Sequence, residues 1–419
     1  ATTNATLVLL VMLGVMFGVG MASTILVGQA VGAKDLQRAK QVVGTGATFF
    51  LAISLAAAIA GLGASAQLLR WMGTPEDARP LAEAYLRMVF LSMPFLSFFA
   101  FMVMAQRGAG DARSPFIFTT LATLLDVVLN PILIVGIGPF PAMGIAGSGL
   151  ALLLSQAIGM SGMLAYLYWR KADLRLTRNE LRYLKPDGGL LRTIVLKGLP
   201  MGAQMLVISS SAIVMMAMIN AYGSETAAAY GVAVQFWTYL QMPAMAIGAA
   251  ASAMAAQNVG AKHWDRVERS AHAGVTINVL LTGSLVALIY LVDSYLVGLF
   301  LPEQPRAIAI AEHINTIAGW SFILFGVTFV LFGVVRSTGA VTPPLIILVI
   351  SLLGVRIGFA TLLEPSWGQD AIWWSFPVSM AASAGLAGAY YRWGGWRKAR
   401  MGPPPREAPH GDAPAKTFP

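Results

Sequence analysis

The sequence predicts an all-α polytopic membrane protein: two homologous helical bundles in tandem, with eleven helices present of an inferred twelve. Three observations predict it. Of 419 residues, 57% are hydrophobic and only 11% charged, with a mean hydropathy of +0.69. The apolar residues fall in long uninterrupted runs. Short motifs of the first half recur in the second at near-constant spacing. A soluble chain carries about 25% charged residues, so this one cannot clothe itself for water. With no Cys, it has no disulfide framework and no thiolate chemistry. The net charge of +9 is scattered over short loops, which points to the lipid bilayer as partner and away from nucleic acid.

A bilayer core of about 30 Å needs about 20 apolar residues in a helix. Eleven runs meet that length, at 4–28, 42–69, 82–106, 114–136, 145–169, 194–221, 226–255, 271–299, 307–334, 341–363 and 370–392. Gly14, Gly18, Pro94, Pro200 and Pro243 lie inside them, as membrane helices permit. No alternating barrel pattern is present. With the first residues outside, the segments 29–41, 107–113, 170–197, 257–270, 335–340 and the tail from 392 hold 23 of the 28 basic residues. The outer segments hold Arg70, Arg79, Arg87 and Arg306, and Arg356 falls within a span. That asymmetry predicts a multi-pass protein of the cell inner (plasma) membrane with a cytoplasmic carboxyl end.

The organisation follows. Residues 1–169 form an N-lobe of five helices, 170–193 a cytoplasmic linker, and 194–393 a C-lobe of six. Residues 394–419, rich in Pro and charge, are predicted to be a disordered tail.

The duplication is explicit. QAVGAK at 29–34 recurs as QNVGAK at 257–262, TPEDAR at 74–79 as LPEQPR at 301–306, and RGAGDARSP at 107–115 as RSTGAVTPP at 336–344. The offsets are 228, 227 and 229. Both halves have the same sense, so they are parallel repeats, which place a substrate site between them. Position 1 aligns with 229, which leads to the expectation of a missing first helix and an intact protein of six plus six spans.

These motifs, with LLDVVLNPILIVG at 124–136, GLPMGAQ at 198–204, AAYGVAVQ before Met242-Pro243, and VRIGFATLL at 355–363, resemble the multidrug and toxic compound extrusion (MATE) transporters over about 1–395. The resemblance implies two lobes in a V. It also implies a secondary antiporter, not an enzyme, that exports amphiphilic, often cationic compounds in exchange for protons or sodium. Where sodium-coupled members carry a Glu and an Asp, this chain has Ile208 and Phe325, so protons are the expected ion. Another branch carries N-x-x-x-D-P on its fifth helix; here the order is reversed, Asp126 then Asn130 before Pro131.

Asp126 and Asn130 are the candidate proton-coupling pair. They lie four residues apart and so share a helix face. A carboxylate at mid-membrane costs at least about 2.5–3.5 kcal/mol, so it should face a cavity and serve a purpose; a structural, hydrogen-bonded Asp is the alternative. Arg356 occupies nearly the equivalent place in the second half. Gln156, Gln204, Gln235, Trp237 and Arg356 are candidate substrate contacts. Against that stand interhelical hydrogen bonding for the Gln residues, an interfacial seat for Trp237, and snorkelling or backbone pairing for Arg356. No metal site and no cofactor is expected; an ion gradient drives the cycle of a monomer. No enzyme signature is found. A flippase for a lipid-linked precursor is the alternative function, and it calls for more basic residues in the cavity than Arg356 alone.

Overall fold

The computed structural model describes residues 2–71, 73–77, 79–138, 141–300 and 305–402. They form helices α1 (Thr2–Gly32), α2 (Leu36–Trp71), α3 (Arg79–Ala109), α4 (Arg113–Val135), α5 (Ile145–Trp169), α6 (Gly188–Asn220), α7 (Ser224–Gly260) and α8 (Trp264–Phe300). After them come α9 (Pro305–Ala318), α10 (Phe322–Arg336), α11 (Thr342–Leu348), α12 (Ile357–Trp367) and α13 (Gln369–Trp393). A 3₁₀ turn, Gly319–Ser321, joins α9 to α10, and a π-helical stretch, Val349–Arg356, joins α11 to α12. Each of these pairs makes one rod, so the described residues give eleven rods, one for each predicted run. Eight of them, all but α1, α7 and α13, are long and apolar enough by length and composition to cross a membrane. The chain is a multi-pass membrane protein.

The repeated motifs fold alike. QAVGAK ends α1 and QNVGAK ends α7, each through a left-handed Lys: Lys34 at φ 61° and Lys262 at φ 60°. Gly110 (φ 92°) and Gly339 (φ 105°) make matching turns after α3 and α10. LPEQPR falls largely outside the described residues.

The sequence groups α6 with the second half, yet it packs more extensively on α1 than on any other helix. Glycine is the reason. A Cβ at Gly18 would run into the Gly198 carbonyl and the Gly202 backbone, so bare backbones cross here. In the second half the α11–α12 rod also leans on α6. Its first-half counterpart, α4, packs on α5 and α3 and leaves Phe116, Leu124 and Val127 exposed on its other side.

The linker folds onto α2 rather than hanging free. Glu180 accepts from the Thr177 backbone N–H (2.9 Å) and hydroxyl (2.8 Å), and Lys40 Nζ donates to Glu180 at 2.8 Å. These hydrogen bonds, that of Lys40 first, hold the Glu180 carboxyl down to about 2. Its depressed value means the clip is complete above the usual carboxylate range and is lost only as pH falls towards 2. Glu180→Gln should therefore quicken limited proteolysis within 170–187 at neutral pH without changing the membrane-embedded fragments.

One expectation is corrected. The predicted disordered tail begins later, because Gly394–Gly402 is ordered: Trp396 is 1% exposed and Met401 2%. Aromatic burial outweighs the polar composition that the sequence reading weighed. Residues 403–419 lie outside the described set.

Candidate functional site

Between the two bundles lies a cavity of about 200 Å³. Phe17, Met21 and Thr24 of α1 and Met104 and Arg107 of α3 form one wall. Met245, Ala246, Gly248 and Ala249 of α7 with Phe329 and Arg336 of α10 form the other. The walls are counterparts. At the duplication offsets, Phe17 matches Met245, Met21 matches Ala249, and Arg107 matches Arg336. The cavity therefore sits on the pseudo-twofold axis. Both arginines stand at its end nearest the face that carries the basic loops. The thioethers and Phe rings occupy the remainder, a surface able to fit ligands of different shape.

Arg336 is 4% exposed. Its Nε donates to the Phe332 carbonyl (3.0 Å) and its Nη1 to Gln204 Oε1 (3.2 Å). Gln204 thus holds Arg336 at the cavity's edge and is not itself part of the wall. Its Nε2 is buried without a partner among the described residues.

The basic-face end of the cavity is shut by a reciprocal crossing of α1 and α7. Gly32 lies against the Gln257 carbonyl and Gly260 against the Gln29 carbonyl, with no room for a Cβ at either. Gln29 Nε2 donates to the Ser337 carbonyl (2.6 Å), and Gln257 Nε2 to the Gly108 carbonyl (2.9 Å). Each bond reaches from one half of the chain to the other, and each is the image of its partner at the 228–229 offset. The sequence reading used both glutamines only as repeat markers. Their spacing already paired them; what it lacked was that the paired ends meet.

Asp126 stands on the face of α4 that meets α5. One turn before it, Ala122 touches Gly159; further on, Leu133 lies on Gly147. Asp126 is thereby level with Ser155. Its Oδ1 is buried and has no hydrogen-bond partner among the described residues. No hydrogen bond joins it to Asn130 among the described residues, although both side chains are partly buried on the same helix. Gln156, next to Ser155, is also partly buried.

In the second half, Arg356 ends the π stretch at 6% exposure. Its Nε donates to Ser379 Oγ (2.9 Å), its guanidinium lies 4.5 Å from the centre of the Phe376 ring, and Nη2 has no hydrogen-bond partner among the described residues. Arg356 does not snorkel. Matching glycine turns before α5 and α13, Gly144 and Gly368, set Ser155 and Ser379 at equivalent positions. Each half thus has an ionisable group level with a helix serine, acidic in one and basic in the other.

Trp237 belongs to the second bundle's aromatic core, 3% exposed, against Phe322 (5.2 Å), Phe376 (4.9 Å) and Tyr230 (5.8 Å). It does not line the inter-lobe cavity. Gln235 does face outward, donating to the Tyr239 hydroxyl (3.2 Å). Helical spacing sets Gln235, Tyr239, Met242 and Ala246 on one stripe, which runs down into the cavity wall. Ile208 and Phe325 are packed among apolar neighbours, Phe325 against Phe329 at 4.4 Å.

The MatE family profile matches residues 1–132 and 200–362. The probable multidrug resistance protein YoeA of Bacillus subtilis (strain 168) is 35% identical over 386 residues, covering 92% of this chain and 83% of YoeA. The multidrug export protein MepA of Staphylococcus aureus (strain MRSA252) is 23% identical over 372 residues, covering 89% and 80%. A crystal structure of a MATE protein in complex with MaD3S aligns with a TM-score of 0.84 at 21% identity, covering 92% of this chain and 85% of that one. The chain belongs to the MatE family, the multidrug and toxic compound extrusion transporters, and is a membrane transporter rather than an enzyme.

Proposed function

We propose that the protein exports amphiphilic, chiefly cationic drugs or toxic compounds through the inter-lobe cavity, in exchange for protons entering at Asp126. The observation that carries the reading is a Met- and Phe-lined cavity on the axis relating the two repeats, with matched elements of each repeat as its walls. Such a site is exposed to one side or the other as the repeats rock. A cationic head seats against Phe17 and Phe329, away from Arg107 and Arg336, with its apolar body among the thioethers. The basic face is assigned to the cytoplasm of the inner (plasma) membrane by the excess of Lys and Arg in its loops. Both repeats lie on one chain, so a monomer suffices, and no cofactor is required.

Filling the cavity tests this. Ala249→Trp should reduce drug efflux from proteoliposomes at least about tenfold, whereas Leu291→Trp, at an 82% exposed position, should not. Equal efflux from both variants would move the pathway elsewhere. The paired Arg107 and Arg336 favour one second reading, a flippase whose cargo bears a pyrophosphate. In that case reconstituted protein moves a fluorescent lipid pyrophosphate and leaves cationic dyes behind.

A further inference from the structure

We propose that the segment Gly394–Gly402 is an intramolecular clasp that holds the basic-face ends of the two bundles together and must let go each time they part. Its first anchor lies in the second bundle. The Trp396 ring stacks on Tyr391 (5.1 Å, 18°) and meets Trp264 edge-on (6.4 Å). Its indole N–H donates to the Tyr391 carbonyl (2.7 Å), and Thr338 Oγ1 donates to the Trp396 carbonyl (2.7 Å). Arg397 pairs with Glu268 of α8. Trp396 is embedded with Val267, Ala271, Val334 and Val335, all from α8 and α10.

The second anchor lies across the axis. Five residues on, Met401 is buried in a different cluster, with Leu26 and Ala30 of α1 and Ala39 and Val42 of α2. Between the anchors the strand passes over the α10–α11 turn, where Gly339 leaves room for the Arg400 backbone and a Cβ would not. That turn follows Ser337, which receives the Gln29 bond. The clasp therefore lies directly over one of the two glutamine contacts and joins the same two bodies.

Parting of α1 from α7 breaks the glutamine bonds. It also pulls Met401 from its seat or Trp396 from its stack, since five residues of ordered chain cannot follow both bundles. Met401 is the weaker anchor, one side chain against a whole indole with two hydrogen bonds, so it leaves first. Exposing a buried Met shifts a two-state balance by at least about tenfold. The segment thus sets the resting population of the state closed at the basic face.

The chain has no native Cys, so a spin-label pair at Arg113→Cys and Arg266→Cys reports the separation of the bundles directly. The measurement is made in a background carrying Gln29→Ala and Gln257→Ala, which removes both glutamine bonds and brings the open state into range. Met401→Asp, and separately a chain ending at Ala399, should each raise the open-to-closed ratio about tenfold. Met401→Leu should leave it unchanged. No substrate or gradient enters the measurement, so its outcome is independent of the transport reading. If Met401→Asp fails to fold by thermal melting, the shortened chain decides. Distance distributions that match the parent in every folded variant would overturn the clasp.

Discussion

Asp126→Asn is expected to bring proton-driven efflux to background while leaving folded protein in the membrane. The substitution keeps shape and removes the only charge. Oδ1 is buried without a partner, so the carboxylate has little protein bonding to lose. An unsatisfied amide costs about 1–3 kcal/mol, comparable with the about 2.5–3.5 kcal/mol that a charge at this depth already costs. Stability should change little; coupling should vanish. If a cationic drug favours the transporter with Asp126 ionised, drug binding releases a proton and acidification weakens it. Each 1.4 kcal/mol of that preference is about tenfold in affinity, and only such a preference lets one ligand drive the lobes against the other. Calorimetry in buffers of differing ionisation enthalpy should show proton release for the parent and none for Asp126→Asn. Sodium should have little effect, because Ile208 and Phe325 offer no carboxylate. Efflux that demands sodium at fixed pH, with no proton released on binding, would remove Asp126 from the mechanism.

The second large effect lies at the glycine crossing. Gly260→Val should abolish export by barring closure at the basic face, and Gly32→Val should match it. Neither position accepts a Cβ, and forced overpacking costs about 1–3 kcal/mol. Only the closed state brings these residues together, so the cost falls on one state and shifts the population by at least about tenfold. A reporter Cys at Thr24, on the cavity wall, should then be labelled by an impermeant maleimide applied from the basic face. In the parent it should be protected. Normal export with a protected reporter would show that the crossing is looser than it looks.

The sequence carried the eleven rods and the duplication, because a membrane rewards length and apolarity and the repeat preserves its end turns. It was a poorer guide to which way a side chain faces. Gln204, Trp237 and Arg356 are candidate contacts for cargo in the sequence; Gln204 takes the alternative, an interhelical bond to Arg336, and the other two sit inside the second bundle. Lipid and protein core are alike apolar, so a helix such as α7 shows no polar side to mark the cavity. Its lining of Phe17, Met21, Met245 and Phe329 looks, residue by residue, like any other membrane helix surface. Asp126 was legible because charge at that depth is costly. The packing of α6 on α1 was not, since glycines on both helices had to be paired first. Only the start of the tail, Gly394–Gly402, departs from expectation, and for the opposite reason: one Trp and one Met outweigh the charges around them.

The π-helical stretch bears on the history of the duplication. Before it, second-half residues match first-half ones at 229, as Pro344 matches Pro115. At its last residue, Arg356 meets Ser379 as Asp126 lies level with Ser155, a step of 230. One additional residue has been absorbed as a bulge instead of rotating everything beyond it by about 100°. A one-residue difference in length between the two repeats accounts for the drift. By confining the extra residue, the bulge keeps the rest of the rod in register with its counterpart, so an acid in one repeat and a base in the other stand at matching places.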